Sequence, residues 1–293
     1  GSFEASSILF DAALPWFIKF SETSCERYAR FLAVKSSGAC VEFLIKALDS
    51  ATPTEPATSH SSPQVLEYLK NKVETAMERL LELIWKNWED PFDSIVSEIG
   101  VIFPLVLDAG EKAFKVFGPS QSLGSDFCDK LALHLLNVDL ATKGKYPLLL
   151  MMIQRVGAQH LLQLKPTFLN DLFIASNYAL AGRAVGPVIH AFLASIHKVV
   201  QSTSSSAKKD KKSSRRTAKD KTSDQTTPEP APVAAPSSGF DPVHLITTPL
   251  LKALLSESTL TPIPLYALPA VFELFPDCFK QLIQKLICSG EDD

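Results

Sequence analysis

The chain has 293 residues, 46% of them hydrophobic and 21% charged, with a formal charge of −3 and a pI near 6.1. That is enough apolar material for one large or two ordinary folded units, and it is not the uniformly basic composition of a general nucleic-acid binder. Five cysteines at 25, 40, 128, 278 and 288, with no CxxC pair, indicate neither a disulfide framework nor a zinc ribbon, and a reducing, intracellular setting is the expectation.

Along the chain the apolar spacing is helical. Helices are predicted at 4–20, 24–34 and 38–49, and then Ser50 to Pro63, SATPTEPATSHSSP, reads as a linker. In the next helix, 64–88, Leu66, Leu69, Val73, Ala76, Met77, Leu80 and Ile84 follow one another at steps of three and four, which puts them on one stripe. Further helices are predicted at 92–117, 123–137, 145–163, 166–181 and 187–201, the last with Val188, Ile189, Phe192, Leu193, Ile196, Val199 and Val200 on one face. Helices at 241–256, 263–274 and 276–288 complete the set. Proline steps such as Asp90-Pro91, Phe103-Pro104, Gly186-Pro187 and Thr248-Pro249 mark expected starts, stops or kinks. There is no comparable run of strict alternation, so the fold class is all-α.

Net charge conceals a segregation. Between Gln201 and Thr222 eight Lys or Arg face two Asp, +6 locally, while the other residues hold 21 Lys or Arg against 30 Asp or Glu, −9. With the following TTPEPAPVAAPSS, the stretch 202–239 reads as a disordered basic and Pro-rich insertion, because it lacks the apolar side chains to offset the entropy of ordering. It is also readable as a nuclear-localisation or RNA-attracting segment. The expected organisation is therefore N-terminal helical repeats at 3–49, the linker at 50–63, central repeats at 64–201, the insertion, and C-terminal repeats at 240–290. Two helices per ~40 residues is the period of HEAT and armadillo arrays, so a HEAT/armadillo-like α-solenoid of antiparallel helix pairs is expected, with a globular helical bundle as the alternative.

No catalytic pattern is present: there is no GxGxxG, Walker-type loop, HExxH or GxSxG. His190 and His197 sit about 10 Å apart along one helix, too far to share a metal. The cysteines are read as buried and structural, and Glu89 and Asp90 as solvated turn carboxylates. No cofactor, metal or small-molecule substrate is expected, and the apolar runs, such as Tyr146 to Ile153, are far shorter than the ~20 residues of a membrane span. The opening Gly1-Ser2, without an initiator Met, reads as an addition ahead of a piece of a longer chain.

The most unusual string is Asn137 to Gln163, where Lys143, Gly144, Lys145 and Tyr146 cluster two cations and an aromatic at a loop and Arg155 follows on the next helix. Two solvated lysines above a packed Tyr146 is one reading; a phosphate or acidic-partner contact is the other. Arg183, between Gly182 and Gly186, invites the same pair of readings.

LATKGKYPLLLMMIQRVGAQHLL resembles the segment of the thyroid adenoma-associated (THADA) family in which a Lys-x-Lys-Tyr turn precedes a helix ending in an Arg/His-x-Gly step. LLELIWKNWEDPFDSIVSEIGVIFPLVLD resembles the same family, with its W-x-D/E-P turn between repeat helices. The resemblance spans roughly Leu66 to Val200, and the family's Arg-Arg-Ser-Ala-Gly type motif is not found in this chain. It implies a long cytoplasmic α-solenoid that is the non-catalytic partner of a small 2′-O-methyltransferase subunit acting on the tRNA anticodon loop. Lys143, Lys145, Tyr146, Arg155 and Arg183 are then the candidate contacts to tRNA or partner. A protein-binding adaptor that uses an acidic surface is the competing function.

Overall fold

The computed structural model describes residues 9–22, 25–51, 63–118, 126–176, 178, 181–213, 242–255 and 267–288. Among the described residues all regular structure is helical. A π-helical turn, Leu9–Ala13, leads into α1 (Leu14–Phe20), α2 (Arg27–Ala51), α3 (Pro63–Asn87), α4 (Asp93–Phe117) and α5 (Phe127–Asn137). Then come α6 (Lys145–Val156), α7 (Ala158–Leu164), α8 (Phe168–Ala175), α9 (Gly182–Ser213), α10 (Pro242–Leu255), α11 (Ala267–Leu274) and α12 (Pro276–Cys288). No helix of the described residues is long and apolar enough to cross a membrane.

Helix boundaries depart from expectation where packing overrides local preference. Ser36-Ser37-Gly38 predicts a break, yet α2 is continuous through it. Gly38 is buried against α4, where a Cβ would lie 3.2 Å from Ile102 Cγ1, so the weak helix former is what lets the two helices approach. The reverse holds at Gly157: its φ of 84° ends α6, and the single helix expected at 145–163 becomes α6 and α7. Pro104 and Pro249 lie inside α4 and α10 rather than at their ends. Pro187 does not open α9, because the Ala181 carbonyl already accepts the Ala184 and Val185 amides at 2.8 and 3.0 Å. At its far end α9 runs to Ser213, so the first residues of the expected disordered segment are helical; Ala207 and the flanking lysines are good helix formers, with no proline among them. The rest of that segment, and residues 52–62 of the expected linker, lie outside the described residues.

The helices pack on near neighbours in the chain, several of them two places apart. The α2–α4 pair is the most extensive, followed along the chain by α4 with α6, α6 with α9, and α9 with α11. On the other side α1 packs on α3, α5 on α7, α7 on α8, α8 on α10 and α10 on α12. Register shows direction. Arg27 lies over Phe92, Gly38 against Ile102 and Asp49 beside Lys112, an offset of 63–65 residues, so α2 and α4 run parallel along nearly their whole length. Likewise α5 and α7 run parallel, with Asp129 on His160 and Lys165 on the Leu136 carbonyl. One continuous hydrophobic cluster extends from Leu14 to Leu282, with Leu80, Leu83, Ile84, Phe103, Phe173 and Phe192 fully buried; each such side chain contributes roughly 1.5–3 kcal/mol by leaving water.

A buried ion pair ties the first four helices together. Arg30 on α2 and Asp90 in the α3–α4 turn, 3% and 6% exposed, meet guanidinium to carboxylate. Arg30 Nε also donates to the Ser21 carbonyl at 3.4 Å, and Asp90 Oδ1 accepts the Phe92 amide at 2.9 Å. Asp90 is thus not the solvated turn carboxylate expected from its position. Removing one partner strands a buried charge, so Arg30→Met is expected to cost about 3–5 kcal/mol in denaturant unfolding. Arg30→Met combined with Asp90→Asn is expected to recover part of that loss; equal costs for the single and double variants would mean that the pair is not coupled.

Candidate functional site

The two strings that carry the resemblance fold against each other. Gly144 packs directly on the Trp88-Glu89 backbone: a Cβ there would lie 2.4 Å from the Trp88 carbonyl oxygen, inside contact distance. Its amide donates to Glu89 Oε1 at 3.2 Å. Gly144 is the residue before α6, so the carboxylate of one turn stands at the N-terminus of the next turn's helix, where backbone donors are unpaired and negative charge is favoured. Glu89 therefore has a structural partner.

Downstream of α5 the chain makes the turn 138–144, and its carbonyls are satisfied by side chains. Lys165 Nζ donates to the Leu136 carbonyl at 2.8 Å, Lys145 Nζ to Val138 at 2.7 Å and the Tyr146 hydroxyl to Leu140 at 2.5 Å. Three donors thus close the C-terminal end of α5, where unpaired carbonyls and the helix dipole favour positive charge. Lys165 also pairs with Asp171 at 2.8 Å.

Lys145 is only 2% exposed and Tyr146 fully buried. Burial, followed by the nearby charge of Lys165, pushes the Lys145 amine down to about 8, and burial raises the Tyr146 hydroxyl well above the usual phenol range. The space beside them, lined by Leu140, Leu149, Phe168 and Asp171, is a cavity of about 10 Å³. That is at most one water, so the pocket is closed to a ligand.

Of the five residues singled out by sequence, the structure brings Lys145 and Tyr146 together inside the fold. The contact expectation is corrected for both: they are buried, with their polar heads directed at the Val138 and Leu140 carbonyls. Arg155 is half-buried and has partners within the fold. It bridges α6 to α4, donating to Asp108 at 2.7 Å and to Glu111 at 2.9 Å. The Glu111 hydrogen bond, with Asp108 beside it, holds the guanidinium charged, and Arg155 in turn lowers the Glu111 carboxyl. Lys143 and Arg183 are exposed, on separate turns.

The residues that sequence reasoning missed are Glu89 and Lys165. Their signal was position alone, one turn beyond a helix end. Among the cysteines, Cys40 and Cys278 are buried as expected, whereas Cys25 and Cys128 are half-buried and Cys288 is exposed. Burial raises the Cys40 thiol to about 11. His197 meets Phe275 edge to face at 5.3 Å, and His190 is exposed.

Two outcomes follow from this arrangement. Gly144→Ala pushes a methyl into the Trp88 carbonyl and is expected to cost about 1–3 kcal/mol or more in thermal or denaturant unfolding; an unchanged midpoint would show that the two turns separate freely. For Lys145 the folded amine titrates near 8 and the unfolded one near 10.4. The unfolded chain therefore binds the extra proton between those values, and the penalty is complete below pH 8 and fades as pH rises to about 10.4. Lys145→Met lacks this titration. Its stability relative to the parent is expected to fall across pH 8–10.4, by on the order of 3 kcal/mol, in paired denaturant melts. A pH-independent difference would contradict the burial of a charged amine. Compared with family models, with curated proteins and with solved structures, the chain matches none.

Proposed function

We propose that the chain is a non-catalytic helical-repeat scaffold, an α-solenoid of the HEAT/armadillo kind. One observation carries the reading: helices two places apart lie parallel and in contact, α2 with α4 and α5 with α7, so each helix pair is covered by the next along the chain. A bundle of the same helices would bring early and late helices together. Here the most extensive contacts of α1–α3 are with one another, with the π turn and with α4, and α3 reaches α5 through Trp85 and His134.

For the partner, we take up the reading implied by the resemblance: a 2′-O-methyltransferase subunit and the tRNA whose anticodon loop it modifies. The resembling motifs are the stacked turns themselves, and exposed Lys143 and Arg183 are the cations left for an RNA backbone. A cytoplasmic location goes with this reading. A second reading, a protein-binding adaptor for basic segments, is favoured by the −9 charge outside residues 201–222.

Co-purification of the full chain from its source separates the two. A methyltransferase and bound tRNA are expected under the first reading; basic-tailed proteins without either would select the adaptor. On the purified complex, Lys143→Ala with Arg183→Ala is expected to lower tRNA affinity and to reduce its salt dependence by about two phosphate contacts. Unchanged affinity and salt slope would remove both residues from the interface.

A further inference from the structure

The π turn and α3 enclose a cleft of about 200 Å³ that belongs to neither stacked turn. Its α3 wall is one helical face. Lys72 and Arg79 are seven residues apart, about 10 Å along the axis, and the small side chains of Thr75 and Ala76 between them leave the dent. Tyr68 closes one end, with Lys72 Nζ 5.4 Å from its ring centroid.

Across the cleft Asp11 projects from the π turn and both its oxygens accept from Lys72 Nζ, at 2.7 and 2.6 Å. The π turn leads directly into α1, which fixes where Asp11 stands. Here it brings a carboxylate 61 residues away in sequence to the lysine. Arg79 is half-buried at the other end and has no ion-pair partner among the described residues. Two cations therefore face one carboxylate in a concave site with a hydroxyl, an amide and an aromatic ring on its wall.

We propose that this cleft binds a small organic anion through a phosphate or carboxylate head held by Arg79 and shared with Lys72, and that Asp11 occupies part of the site as an internal stand-in for the ligand. Arg supplies the fork that matches either head, and Lys72 the second charge. Asp11 must yield or share Lys72 when the ligand enters, so the π turn sets the affinity. Hydrogen bonding to Asp11 raises the Lys72 amine. This inference is independent of the scaffold reading.

The test is isothermal titration of the full chain with inorganic phosphate, adenosine 5′-monophosphate and citrate, which separate a bare head, a phosphate on a ring-bearing body and a carboxylate source. Saturable binding of at least one probe is expected, weakened about tenfold or more by Arg79→Ala and partly restored in Arg79→Lys. Asp11→Asn removes the competitor and is expected to tighten binding severalfold. Thermal melts of the unliganded variants confirm that each is folded. No binding by any of the three probes, equal affinity in parent and Arg79→Ala, or weaker binding in Asp11→Asn would each overturn the proposal.

Discussion

The first half of this fold depends on one packing relation, the parallel contact of α2 with α4. For α2 and α4 to lie side by side and point the same way, α3 must return between them, and the turns at either end must have fixed length. The offset of 63–65 residues held from Arg27–Phe92 to Asp49–Lys112 is the measure of that constraint. It explains why a glycine is tolerated in the middle of the 25-residue α2. Propensity disfavours Gly38 by about 1 kcal/mol relative to Ala, but a Cβ there would press on the Ile102 side chain of α4.

When helices stack in this way, their turns stack with them. Arg30–Asp90 joins the start of α2 to the α3–α4 turn, Glu89 of that turn reaches the Gly144 amide, and the turn before α6 is closed by Lys145 and Tyr146. Polar groups at one level are satisfied by side chains from the next. The same relation resists displacement of a turn, because that would unpair buried donors and acceptors at about 1–3 kcal/mol each. Cations that sequence reading offers to a partner are largely absorbed by this internal accounting of hydrogen bonds, and those left outward, Lys143 and Arg183, sit where no carbonyl needs them.

How far the sequence could be read varied with the range of the interaction involved. The stripe from Leu66 to Ile84 was legible, since helical periodicity is local, and α3 spans 63–87 against an expected 64–88. The helix at 276–288 was legible for the same reason. Breaks were less so. Gly38 and Gly157 are the same residue type in helix-like surroundings, yet one continues a helix and the other ends it at φ 84°. What differs is the neighbour: Ile102 of a distant helix crowds the first, while the backbone of the second turns to start α7. At the candidate site the string Lys143 to Tyr146 was rightly singled out as unusual, but the meaning of its charges was not readable. Lys145 looks like any loop lysine until the Val138 carbonyl and the wall of Leu149 and Phe168 are in place around it.

By itself the sequence determined the helical class, the apolar stripes and the separation of a +6 segment from a −9 remainder, all of which follow from composition and from spacing within about four residues. Only the tertiary structure decided which helices run parallel, which cations are buried, and that the two unusual strings touch. Most of those outcomes rest on contacts between residues 29 to 65 positions apart, such as Lys165 with Leu136, Gly144 with Glu89 and Arg27 with Phe92. No local pattern encodes such pairings, because the free energy that selects them is that of closing buried polar groups against one another once the helices are stacked.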